Sequence, residues 1–468
     1  MEEAAGARQS AFPDTPKMRA EQMLPKHLGF LLSAAAIVLV LTVLQTPLCG
    51  AVAPPQTNNS EAPLRAAHSQ AVTEYSLQPD QLAKARALYH ITTVLYVAGS
   101  LWGILLLWVF LETHIGPVLR NFAERCSNRR FIQTSIFVPL LMLLIAVILL
   151  PLEAYGHHIS LAYGLSVQGW IPWLGDRAKA EAIFILISVI AVATLFWIIG
   201  RSRQRWWFYF WLLTLPFILL IVFIAPIIVD PMFNTFAPLG QTHPELVSAI
   251  QEIAVRGGLN IPTDRIFEMK ASEKVTTYNA YVTGIGATKR VVVWDNTVQD
   301  MTTPEILFVF GHEMGHYVLN HIYKGLAFFA AMSFLGFWAG KRITEVLLSR
   351  LGAKWRIRGI DDLASLPAFV LVLAILMLIS EPVGNAFSRH LEHQADIYAL
   401  EVTHGVFSNN RQVAASSFQK LGEKSYDYPA PNRFLVMWAY DHPTIQQRIR
   451  FALQYDPWHT AAGPKYVK

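Results

Sequence analysis

The sequence predicts a mainly α, polytopic membrane protein with about seven transmembrane helices and a small α+β domain. Three observations carry that expectation. Hydrophobic residues make up 53% of the chain and charged residues only 15%. Apolar runs of bilayer-spanning length recur along it, and strand-like patterns gather in one polar stretch, 230–324.

The apolar runs lie near 28–48, 88–112, 132–152, 181–200, 206–228, 325–346 and 365–381, the sixth interrupted by Lys341 and Arg342. They divide the chain into a polar N-terminal segment, 1–27, a membrane domain of about five transmembrane helices, 28–229, and a C-terminal domain, 230–468, holding the last two spans. The run Trp206-Trp207-Phe208-Tyr209-Phe210-Trp211 follows Arg201, Arg203 and Arg205 and fits an interfacial aromatic belt better than a base-stacking surface, so no nucleic-acid partner is expected. Cys49 and Cys126 flank the first membrane hairpin and are not spaced for metal binding. Within the polar stretch the pattern predicts a helix over 244–256 and strands near 264–269, 276–283 and 289–295. Gly284-Ile285-Gly286, flanked by strand-like runs, reads as a hairpin turn; a phosphate loop would need a helix after it.

The next element carries chemistry. His312-Glu313-Met314-Gly315-His316 puts two imidazoles four residues apart, on one face of a helix, where they can bind one metal while Glu313 reaches a water that the metal activates. That arrangement proposes a zinc metalloprotease. Thr303 as N-cap, Pro304 and Glu305 mark the helix start, and Ile306 to Phe310 make it a buried one. A third ligand is needed. The H-E-x-x-H-x-x-G-x-x-H pattern fails, because Leu319 and Ile322 stand at its glycine and last histidine. His321 is one residue short and reads as a neighbour of the site or a surface residue, and Glu345 sits in an apolar stretch without polar companions. Residues 384–401, after Pro382, are better: Asn385, Ser388, Arg389, Glu392 and Asp396 share one helical stripe. A buried carboxylate so near a membrane span needs a partner, and zinc would be one for Glu392. A solvated amphipathic face remains open for Asn385, Ser388 and Arg389, while His390 and His393 point elsewhere.

HEMGH followed by Ser388-Arg389-His390-Leu391-Glu392-His393-Gln394-Ala395-Asp396 resembles the integral-membrane zinc metalloproteases of the CAAX prenyl protease 1 family and their bacterial relatives. Asp230 to Leu239 resembles that family's entry into its catalytic region, Tyr278-Asn279-Ala280-Tyr281 its substrate strand, Arg290 to Asp295 the following strand, and Asp441-His442-Pro443 its late histidine. The likeness runs from about residue 88 to the end, the first 87 residues being matched only by a membrane segment. It implies a gluzincin-type catalytic domain with one Zn2+ per chain on His312, His316 and Glu392, and a substrate strand containing Asn279 and Ala280.

Zinc chemistry then makes Glu313 the general base. Asp396 is a family-implied proton donor or, from spacing, an orienter of a ligating histidine. His442 is the candidate oxyanion donor, with helix capping before Pro443 as its alternative. Arg389 would position the ligands or the substrate. The expected partners are the lipid bilayer and a peptide or protein substrate. Processing of CAAX-type prenylated tails is the implied activity; a quality-control protease without lipid preference and a transporter with an incidental HExxH are the alternatives.

The expected location is multi-pass, in a bacterial cytoplasmic membrane or the endoplasmic reticulum membrane. Orientation is contested. Alternate segments 1–27, 113–130, 201–205 and 347–364 carry fifteen Lys and Arg, against five in 51–86 and 153–180. The positive-inside rule thus puts the zinc domain opposite the cytoplasm, whereas the resemblance implies access from it. Residues 24–53 also resemble a signal sequence ending at Ala51-Val52-Ala53, but Pro54 argues against cleavage and the run is long enough to span.

Overall fold

The computed structural model describes residues 71–284, 289–461 and 463–467. The membrane part is α1 (Pro79–Glu112), the short α2 (Ile115–Cys126), α3 (Arg130–Ala162), α4 (Trp170–Arg201) and α5 (Trp206–Ile224). The chain leaves α5 through a π-helical turn, Ala225–Val229, and a last α-turn, Asp230–Phe233. Then come β1 (Phe236–Pro238), α6 (Pro244–Arg256), β2 (Ile266–Met269), β3 (Ala280–Thr283), β4 (Arg290–Trp294), α7 (Asp295–Asp300) and α8 (Thr303–Val318). Two long helices, α9 (His321–Leu351) and α10 (Leu366–Val402), precede α11 (Asn410–Ser425), α12 (Arg433–Ala439) and α13 (Ile445–Gln454).

Among the described residues, six helices are long and apolar enough to cross a membrane: α1, α3, α4, α5 with its continuation, α9 and α10. They correspond to the second through seventh expected spans. The first span, the segment 1–27, the signal-like stretch and Cys49 lie outside the described residues. Many large apolar side chains on these helices are exposed, among them Leu101, Trp197 and Ile379, as helices that face lipid rather than water allow.

The sheet has the order β1-β2-β4-β3, with β2 and β4 parallel and the other pairs antiparallel. Period-two alternation sends Val291 and Val293 of β4 toward a core shared with Ile250 of α6 and Phe310 of α8, and Val292 toward Met269 and Val275. The chain pairs β3 with β4 alone, so β3 is an edge strand packed on α8. It begins later than the expected 276, because the preceding residues are engaged elsewhere. Thr276 and Lys274 bond the α3–α4 loop through Thr276 N to Leu165 O (3.1 Å) and Val167 N to Lys274 O (2.9 Å). Lys274 is itself buried and donates to Asp176 of α4 at 2.9 Å and to the Phe233 carbonyl at 2.7 Å, tying the membrane bundle to the sheet.

Three local expectations change. The N-cap of α8 is Thr302, not Thr303: Glu305 reaches back to the Thr302 amide at 2.7 Å in a capping box. The last span and the 384–401 helix are one continuous α10, with Pro382 inside it. Glu345 does have a polar companion, Lys341, one turn back at 2.8 Å.

Candidate metal centre

The centre forms where α8 lies against α10, and glycine makes that approach possible. A Cβ at Gly315 would stand 3.1 Å from the Tyr398 Cβ and 3.2 Å from the Ala395 Cα, and one at Gly311 would stand 3.1 Å from Val402. Small residues on both sides therefore let the backbones close up, which sets the histidines of α8 against the acids of α10.

His312 Nε2 lies 3.2 Å from His316 Nε2 and 3.2 Å from Glu392 Oε2, and His316 Nε2 lies 3.4 Å from Glu392 Oε1. Tetrahedral zinc with bonds of about 2.0–2.1 Å separates its ligand atoms by roughly 3.3–3.4 Å, so these three residues fit the metal. Glu392 supplies a second sign. Its Oε2 is buried without a hydrogen-bond partner, although His312 Nε2 and His442 Nε2 are each 3.2 Å away. A carboxylate oxygen gathered among ring nitrogens at angles unsuited to hydrogen bonds is what a cation would satisfy.

Both imidazoles are held with Nε2 toward that point. His312 Nδ1 donates to Asp396 Oδ1 at 2.9 Å. For His316 the chain is longer: Gln394 Oε1 accepts from His321 Nε2 at 3.1 Å, so His321 Nδ1 accepts from His316 Nδ1 at 3.1 Å. Each relay keeps the proton on Nδ1 and leaves the Nε2 lone pair for a metal. His321 thus abuts the site rather than the surface.

Asp396 is itself clamped. Arg448 of α13 donates to it twice, Nη2 to Oδ1 at 2.6 Å and Nε to Oδ2 at 3.0 Å, while its guanidinium stacks over Phe418 of α11. Sequence reasoning missed Arg448, and no signal separated it from Arg450. Burial pushes the half-buried Glu313 up to about 7. For His442, burial opposes the charge, but Asp441 at 2.8 Å and Glu392 prevail and raise it to about 9. It does not cap a helix; Thr444 caps α13.

The remaining candidates bond to backbone. Arg389 donates to the carbonyls of Val436 (3.1 Å), Met437 (3.4 Å) and Tyr440, and Asn385 to that of Trp438 at 2.5 Å, so both fasten the segment that delivers His442. Asn279 donates its amide to Thr297 at 2.9 Å and its carbonyl accepts from the Trp294 amide at 3.0 Å, and Ala280, the first residue of β3, is buried in the core. His390 bonds Gln394, and His393 packs against Phe451.

Two family models match the chain. That of peptidase family M48 covers residues 233–456, and that of the CAAX prenyl protease N-terminal region, five membrane helices, covers 64–235. The uncharacterized metalloprotease YhfN of Bacillus subtilis is 36% identical over 376 residues, 80% of this chain and 86% of its own. CAAX prenyl protease 1 of Saccharomyces cerevisiae is 25% identical over 414 residues, 82% and 88% of the two chains. The crystal structure of S. mikatae Ste24p shares the fold, with a TM-score of 0.69 at 21% identity over 93% of this chain and 100% of that one.

Proposed function

This chain belongs to peptidase family M48 as a multi-pass integral membrane metalloprotease, and on that premise we propose that it is a zinc endopeptidase whose metal is held by His312, His316 and Glu392. The observation that carries the ligand set is that the two Nε2 atoms and the Glu392 carboxylate oxygens nearest them stand 3.2–3.4 Å apart, the spacing of ligands around one zinc. Zinc, when bound there, polarises the scissile carbonyl and lowers the pKa of the attacking water toward about 7.

The chain's own groups do the rest. Glu313, with its burial-raised affinity for a proton, takes one from the attacking water and passes it to the leaving amine. His442, whose hold on a proton Asp441 strengthens, offers its Nε2–H to the oxygen on which negative charge develops. Asp396 acts through His312, fixing its tautomer, which supports the orienting role over direct proton donation. Arg389 acts through the carbonyls of 436–440. The edge of β3 offers backbone groups to an extended peptide, with Asn279 and Ala280 at its entry.

Two substrate classes follow. The relatives named CAAX prenyl proteases suggest a prenylated C-terminal tail, and an open apolar groove of about 640 Å³ on the lipid-facing side of α1, α9 and α10, lined by Trp102, Leu105 and Ile379 among others, has the chemistry for an isoprenoid chain as for a lipid tail. A protease without lipid preference uses the same catalytic groups. The test is cleavage of matched prenylated and unprenylated peptides by the purified protein and by Glu313→Gln. The variant is expected to keep its zinc and lose at least about a hundredfold in kcat; a zinc-loaded variant cleaving at the parent rate would sink the mechanism.

A further inference from the structure

His442 is carried by α12 and the turn after it, and little of that segment is packed. α12 is seven residues long and only Ala439 in it is buried, while Phe434 and Met437 are exposed. A helix so short has little stability of its own, so polar bonds set where it lies. The Asn432 amide at its start donates to the Tyr89 hydroxyl of α1 at 2.8 Å, and Tyr428 stacks on the same ring. From α10, Asn385 and Arg389 hold carbonyls of residues 436–440.

One more contact reaches the segment from within the spans. The Trp438 indole N–H donates to the Tyr96 hydroxyl, which donates in turn to Glu381 Oε2 at 2.5 Å. Tyr96 stands near the middle of α1, roughly 25 Å from either end at about 1.5 Å per residue. Glu381 lies one turn before Asn385, on the stripe of α10 that continues through Arg389 to Glu392 and Asp396. Both are buried. A carboxyl at that depth calls for a reason, because ionisable groups inside spans are costly and mark function. Stability does not supply one: a matched apolar pair would join α1 to α10 about as well. What an apolar pair cannot do is hold the Trp438 indole by a directed bond. Glu381 also gives that bond its direction, since its oxygen accepts the Tyr96 O–H and leaves the hydroxyl lone pairs for the indole.

We propose that Tyr96 and Glu381 are positioning residues for cleavage: by orienting the Trp438 indole they fix the place of α12, and with it the point at which the His442 Nε2–H meets the developing charge. This rests on the proteolytic reading, with His442 as oxyanion donor, and deepens it. It makes α1, a span that supplies none of the three proposed metal ligands, part of what sets the rate.

The test uses the full-length purified protein and a peptide that the parent cleaves, with zinc content measured beside kcat and KM. Tyr96→Phe removes one hydroxyl. Its kcat is expected to fall about tenfold, within the ~100-fold that a displacement of about 1 Å can cost, with KM and zinc content at parent values. Trp438→Phe should do the same from the other end of the bond. Glu381→Gln, which keeps an acceptor for the hydroxyl, should lose far less than Glu381→Leu. The deciding measurement is made in the His442→Ala background, where kcat is already expected to be down roughly 100-fold. Tyr96→Phe should cost nothing further there, because the imidazole it positions is gone. A parental kcat in Tyr96→Phe, a loss that persists undiminished beside His442→Ala, or zinc lost from Tyr96→Phe overturns the proposal. The two failures are distinguishable: a slow His442→Ala beside a parental Tyr96→Phe leaves the proteolytic reading standing, whereas His442→Ala cleaving at the parent rate defeats the oxyanion assignment and the proposal with it.

Discussion

Asp396 is fully buried and bonds both His312 and Arg448, so its charge is compensated on both sides. Removing the guanidinium leaves an uncompensated carboxylate, a change that typically destabilises by about 3–5 kcal/mol, and loosens the carboxylate that orients His312. Arg448→Leu is therefore expected to weaken zinc binding by about 10–100-fold, with Arg448→Lys recovering part of it; a metal titration unchanged in the leucine variant would show that Asp396 needs no clamp. Glu313 sets the acid side of the pH profile. Burial raises it to about 7, and a neighbouring zinc cation pulls it back down, so kcat/KM should climb with pH through a midpoint at or below about 7 as the carboxyl loses its proton. A profile flat between about pH 5 and 7 would count against Glu313 as base. The grouping of His312 and His316 with Glu392 was legible in the sequence because helical periodicity is a local property and the ligands of one metal must share a face. Arg448 was not, because its partner lies 52 residues away and its own helix carries Arg450 as well.

At the scale of elements, the site depends on how closely α8 approaches α10. Gly315→Val would push against Tyr398 and Ala395, an overpacking that costs about 1–3 kcal/mol, and by parting the helices it would also move His316 from Glu392. Zinc content should fall by more than the loss of folded protein explains. Gly325→Val is the control: nothing lies within 4 Å of a Cβ there, and zinc content should be unchanged. The sequence motif leaves the residue at 315 unspecified, so nothing in one dimension named its partner across the helix pair. Spans were easier to read. Hydropathy placed six of them near their observed positions, while the end of the last was missed because a helix changes from apolar to polar surroundings without changing its backbone. The pairing of the α3–α4 loop with residues 274–276 was invisible for another reason: it joins segments 108 residues apart that carry no strand pattern of their own.

Across the whole molecule, the buried acids Glu392 and Asp396, the buried His312 and the half-buried His316 cluster together, and a metal bound there would stabilise the folded chain in proportion to the logarithm of its excess. Chelation should therefore lower the melting temperature as well as abolish cleavage, and re-added zinc should restore both; at a thousandfold excess over Kd the stabilisation is about 4 kcal/mol. A melting curve indifferent to chelation would mean that the four side chains are satisfied without a cation. The continuity of α10 adds an order in time. His312 and His316 leave the ribosome before the last span, and Glu392 only after it, with His442 and Arg448 later still. On the proposed ligand set, the nascent chain therefore holds two of the three ligands and no competent centre until its final helix has been threaded through the bilayer. Completed insertion is thus the licence for proteolysis, and a chain stalled or cut short in the membrane is inert toward its neighbours.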